Sequence, residues 1–107
     1  MNKKSPKSAS HHLMVVKKLQ TNPAFAVEYL KAAIEDTAEP RVLLMALRQI
    51  AEARGGIATV AKAAGVERES LYRALSPKGN PRLSTLFAVT KAMGLSLTVE
   101  IAQSSDN

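Results

Sequence analysis

A chain of 107 residues has room for one modest core, and its apolar content, 46% of the residues but only 4% aromatic, suits close-packed short helices. It has no cysteine, which excludes disulfides and thiolate metal sites and fits a reducing compartment; no run nears the ~20 apolar residues of a membrane span, and the basic start lacks the apolar core of a secretory signal, so the cytoplasm is the expected location. Fifteen Lys and Arg against nine Asp and Glu, a net charge of +6, suit a polyanionic partner as well as they suit an ordinary solvated surface.

Residues 1–21 carry Lys3, Lys4, Lys7, Lys17 and Lys18 without one acid, and little before Leu13 can be buried, so they are expected to form a basic flexible segment, disordered over 1–12. The short apolar run 13–16 either docks on the body or serves a partner. Asn22-Pro23 opens a helix that the spacing carries to about Asp36, with Val27, Leu30 and Ile34 on one face beside Ala26 and Ala33. After a break at 37–40, a second helix runs to about Ala53, with Leu43, Leu47, Ile50 and Ala51 as its buried stripe, and Gly55-Gly56 ends it. Three shorter helices are predicted at 58–64, 68–75 and 83–93, separated by Gly65 and by the loop 76–81, and closed by Gly94. The period then changes: Leu95, Leu97, Val99 and Ile101 alternate with polar residues, which predicts a half-buried strand whose edge needs a second copy or another chain. The expected organisation is the basic segment 1–21, one domain at 22–102 and a flexible tail at 103–107.

The helices at 58–64 and 68–75 have the logic of a helix-turn-helix. A small Ala61 lets the second helix cross closely, Gly65 suits a left-handed turn, and Val60, Val66 and Leu71 fill the seam. In such a unit the second helix meets base edges in the major groove of DNA, and the outward residues here are Glu67, Arg68, Glu69, Ser70, Tyr72 and Arg73. Arg68 and Arg73 have the fork geometry for guanine. Tyr72 either packs inward or touches a phosphate, while Glu67 and Glu69 suit the helix dipole better than they suit cytosine. Lys78, Asn80, Arg82 and Ser84 follow in and after the loop, where they could hold backbone phosphates, and residues 56–94 carry six basic against two acidic side chains.

Other chemistries find little support. Glu28, Glu35, Asp36, Glu39 and Glu52 fall on helix surfaces or ends without a nucleophile beside them, so no enzyme is expected. His11 and His12 are adjacent in the flexible segment with no third ligand near, and Gly55-Gly56 lacks the Lys and Ser or Thr of a phosphate loop, so neither metal nor cofactor is expected.

The run Arg54-Gly55-Gly56, Val60-Ala61, Gly65-Val66, Arg68-Glu69-Ser70-Leu71-Tyr72-Arg73-Ala74-Leu75 and Gly79-Asn80-Pro81 resembles the antidote (antitoxin) proteins of bacterial addiction modules, a branch of the lambda-repressor and Cro-like helix-turn-helix superfamily. The resemblance takes in Tyr29-Leu30 and Ala46-Leu47 and covers about 22–99. It implies an all-α fold of five helices, to which the alternating segment adds a short C-terminal β-strand. It also implies a protein that represses its own operon and neutralises a cognate toxin, typically a basic protein of the RelE type; a homodimer formed through the C-terminal region would set two 68–75 helices in successive major grooves of a palindromic double-stranded operator. Related proteins place Gln near the start of the first motif helix to clamp a phosphate. Here Ile57 and Ala58 stand there, so Thr59 or Lys62 would take that part. The first two helices and the N-terminal segment are the expected toxin surface. A stand-alone phage-type regulator and a pure protein-interaction module are the alternatives.

Overall fold

The computed structural model describes residues 6–35, 39–99 and 101–102. Six helices follow one another in it: α1 (Pro6–Thr21), α2 (Pro23–Glu35), α3 (Pro40–Ala53), α4 (Ile57–Ala64), α5 (Arg68–Ala74) and α6 (Leu83–Ala92). The expectation of five helices and a C-terminal strand is therefore corrected to six helices and, among the described residues, no strand.

The added helix is α1. Its Val15, Val16 and Leu19 recur at helical spacing and are buried, Leu19 completely, where α1 lies across α3 and α2. Three apolar side chains on one face were enough to hold a helix that begins among basic and small polar residues, because α3 offers them a ready surface. Residues 1–5, the start of the predicted flexible segment, and the predicted tail 103–107 lie outside the described residues. The C-terminal segment failed as a strand for a related reason. The Leu95 amide closes α6 by bonding to the Thr90 carbonyl at 2.9 Å, and Leu95 and Leu97 are half-buried, but Val99 and Ile101 are 93% exposed. A strand needs an edge to pair with, and the surrounding helices provide none.

α3 is the hub of the first half, touching α1, α2 and α4, and α4 is the hub of the second, touching α5 and α6. The Asn22 side chain accepts the Phe25 amide at 3.2 Å and Pro23 occupies the first turn, which separates α2 cleanly from α1. The Lys18 ammonium sits 4.6 Å from the centre of the Phe25 ring, bridging the two helices. The face of α2 that meets the core is Ala26, Leu30 and Ala33, and the two small alanines permit close approach to α3 on either side of Leu30. Val27 and Ile34, expected on the buried face, are instead 42% and 43% exposed. On α3 the buried stripe is Leu44, Leu47, Ile50 and Ala51, with Leu43 half-buried beside it.

Arg48 of α3 and Arg54, which caps the end of that helix, bind the halves together. Arg48 donates to the carbonyl of Leu75 at the end of α5. Arg54 donates to Leu19 O near the end of α1 at 3.0 Å and to Met93 O at the end of α6 at 3.2 Å. Carbonyls at helix C-termini lack intrahelical partners and carry partial negative charge, so a guanidinium satisfies both needs at once.

Candidate nucleic-acid interface

α4 and α5 are joined by three residues. Gly65 takes a left-handed conformation at φ 74°, and the Val66 amide returns to the Ala61 carbonyl at 3.0 Å. A side chain at Gly65 would be strained in that backbone, so the glycine sets the turn. Val60, Ala61 and Leu71 are buried in the seam, with Val66 packed against it. With those residues turned inward, the polar ones are left outside.

Of the side chains nominated from sequence, Thr59, Lys62, Glu67, Arg68, Glu69, Ser70, Tyr72, Arg73, Lys78, Asn80 and Arg82 are all exposed. Arg68, Glu69, Tyr72 and Arg73 line a shallow groove of about 470 Å³ together with Ile57 and Ala58 from the start of α4. Tyr72 is 66% exposed, which settles its direction as outward. Among the described residues neither Arg68 nor Arg73 enters an ion pair, whereas Glu67 is engaged locally, accepting the Ser70 hydroxyl at 3.1 Å. Thr59 turns its hydroxyl proton back to the Gly55 carbonyl at 3.1 Å, and Gly56 brings no side chain to the first turn of α4, so that turn, whose Ile57 and Ala58 line the groove, has no side-chain cap. Lys78, Asn80 and Arg82 stand apart from the groove, in the connection between α5 and α6.

Sequence reasoning missed the parts that hold this face in place. A Cβ at Gly79 would collide with the Ala74 carbonyl, so the loop after α5 is folded against the end of the helix in a way open only to glycine. The Ser76 hydroxyl donates to Arg73 O at 2.7 Å in the same turn. Arg48 of α3 grips the Leu75 carbonyl, a link between residues 27 positions apart that no local pattern reveals. Farther off, the Tyr29 hydroxyl donates to Gln49, whose amide lies 3.3 Å from His12 Nδ1, while His12 Nε2 lies 3.0 Å from Glu52. Burial raises the Tyr29 phenol above its usual 10.0. This chain ties α1, α2 and α3 and accounts for the buried Gln49 and for His12, which sequence reasoning left in a flexible segment.

These features define an all-helical chain with one helical core and a cationic face on its shorter helices. No described helix is long and apolar enough to cross a membrane. Residues 10–101 match the family model described as probable addiction module antidote protein, and the chain belongs to that family. It is 44% identical over 66 residues to an uncharacterized protein of Haemophilus influenzae, a match that spans 62% of this chain and 65% of that relative. No solved structure matches it.

Proposed function

We propose that this protein is the antitoxin of a type II toxin–antitoxin module, a member of the helix-turn-helix superfamily that represses its own operon as a homodimer and neutralises a cognate toxin of the RelE type. The observation that carries the DNA-binding half is the α5 face: Arg68, Tyr72 and Arg73 project beside the uncapped start of α4, in a stretch from 56 to 94 with a net charge of +4. Guanidinium forks at that place suit base edges in the major groove, amides at a helix start suit a phosphate, and Lys78, Asn80 and Arg82 suit the flanking backbone. Leu83 and Phe87, exposed and four residues apart on α6, offer the apolar surface that a dimer would bury so as to set two α5 helices in successive grooves. Family membership supports the antidote half.

Titration of the promoter region upstream of the gene tests the DNA-binding half. The expected result is binding that falls steeply with salt and prefers an inverted repeat with half-sites ~34–36 Å apart. Sequence-indifferent binding would remove the repressor reading. Growth rescue on co-expression with the product of the adjacent reading frame tests the other half, and a neighbour that is harmless alone would leave only a stand-alone regulator.

A further inference from the structure

The groove on the α5 face is not lined by charge alone. Arg68, Glu69, Tyr72 and Arg73 come to it from α5, and Ile57 and Ala58 from the first turn of α4. Tyr72 and Ala58 are exposed and Ile57 is half-buried, so an aromatic ring, a methyl group and a branched chain offer hydrocarbon to whatever occupies the groove. Ile57 also packs against the core, which holds its part of the lining in place.

The charged groups of the lining restrict the occupant. Glu69 and Arg73 lie one helical turn apart on α5, yet among the described residues neither forms an ion pair, and neither does Arg68. Two unpaired guanidinium groups in a stretch with a net charge of +4 over 56–94 favour a polyanion over a neutral apolar ligand. Glu69 narrows the choice further, because a carboxylate in the lining repels a phosphate and leaves the edge of a base pair as the part of a duplex that fits. In the major groove every base pair presents hydrogen-bonding atoms, and the one alkyl group presented there is the C5-methyl of thymine. The arginine forks have their match in guanine, whereas Ile57, Ala58 and the Tyr72 ring have theirs only in that methyl group.

We infer that each operator half-site contains a thymine whose C5-methyl group is read by Ile57, Ala58 and the ring of Tyr72, within the stretch of bases that Arg68 and Arg73 contact. This rests on the reading of the α5 face as a DNA reader and deepens it. Tyr72 acts here through its ring and not through its hydroxyl. The first turn of α4 becomes a determinant of sequence preference and not only a support for α5, since two of its side chains line the groove.

The test uses the full chain and a duplex covering the promoter region upstream of the gene, in which footprinting finds the protected segment. Duplexes of that segment are then made with deoxyuridine in place of one thymidine at a time, which deletes the methyl group and leaves the pairing edge intact. At one thymine in each half-site the affinity is expected to fall ~3- to 10-fold, as the loss of one buried methyl group implies, and to stay within ~2-fold elsewhere. Tyr72→Ala is expected to weaken binding to the thymidine duplex ~10-fold and to shrink the preference for thymidine over deoxyuridine at that position to within ~2-fold. Tyr72→Phe, which keeps the ring, is expected to retain the wild-type preference. Ala58→Ser, which adds a hydroxyl to the hydrocarbon, is expected to reduce it. Circular dichroism checks the folding of each variant. A flat scan from a chain that still prefers one duplex sequence overturns the inference and leaves the repressor reading intact. A Tyr72→Phe variant that loses as much affinity as Tyr72→Ala overturns it too, because the hydroxyl would then be the contact. So does a methyl preference that persists in full in both Tyr72→Ala and Ala58→Ser. If the wild-type chain shows no sequence preference at all, the DNA-binding reading fails first, and the inference falls with it.

Discussion

The α5 face and the α2 face are both built from amphipathic helices on one core, yet they divide their residues differently. α5 keeps its apolar side chains inward, Leu71 at its centre, and exposes Arg68, Glu69, Tyr72 and Arg73. α2 has more apolar residues than the core accepts, so Ala26, Leu30 and Ala33 go inward and Val27 and Ile34 are left at the surface beside Glu28 and Glu35. A polar face of fixed cations recognises a partner chiefly through charge and hydrogen bonds, and its binding is salt-dependent. An apolar face with a mixed border of Glu28, Lys31 and Glu35 depends chiefly on burial for affinity. The two surfaces, one polar and one apolar, share no lining residue.

The largest blow to both faces should come from their shared core. Leu71→Ala empties a fully buried position at the α4–α5 seam and is expected to cost about 2 to 5 kcal/mol in chemical denaturation. A variant that kept full stability would mean that the two halves do not rest on one core. Arg54→Met comes next: it removes guanidinium bonds to Leu19 O and Met93 O and should cost about 2 to 3 kcal/mol, with α1 and α6 losing amide-exchange protection together. Protection lost in only one of them would show that the arginine does not couple the halves. Arg73→Ala should leave stability within about 0.5 kcal/mol of wild type but cost about 1 to 3 kcal/mol in operator binding, concentrated at one base position. Uniform weakening on all sequences would make it a phosphate contact instead.

The smallest effect belongs to the polar chain across α1, α2 and α3. Tyr29→Phe removes the hydroxyl donor to Gln49 and should cost about 1 kcal/mol near neutral pH. Its pH dependence has a definite sign. Because the phenol is raised above 10.0 in the folded protein, its stabilising contribution is complete below pH 10 and is lost as pH rises through the folded value. Denaturation midpoints above pH 10 should therefore fall less steeply for Tyr29→Phe than for wild type, and an equal slope in both would assign the alkaline loss to other groups.

Local signals in the sequence were sufficient wherever one residue type meets one backbone need. Asn22-Pro23 started α2, Gly65 made the left-handed turn, and the spacing of Val60, Ala61 and Leu71 left Arg68 and Arg73 outside, whereas the direction of Tyr72 came only from the structure. The helix α1 was legible in the recurrence of Val15, Val16 and Leu19, but lysines and small polar residues around it suggested disorder, because burial on α3 is not a local property. The alternation of Leu95 to Ile101 was equally clear and led to the wrong element, since a period of two states a preference and a strand also needs a neighbour. Arg48 and Arg54 left no trace at all in their surroundings, being partnered with carbonyls 27 to 39 residues away.

Sequence by itself thus determined the helical class, the α4–α5 turn, the cationic character of its outer face and the split of charge along the chain, all of which depend on composition or on residues within a few positions of one another. Tertiary structure alone decided which side of α2 the core would take, how α1 docks, and that α2 and residues 95–98 would border one groove. Those outcomes depend on contacts between distant segments, and the free energy of such contacts is fixed only when the surfaces that share them have been brought together.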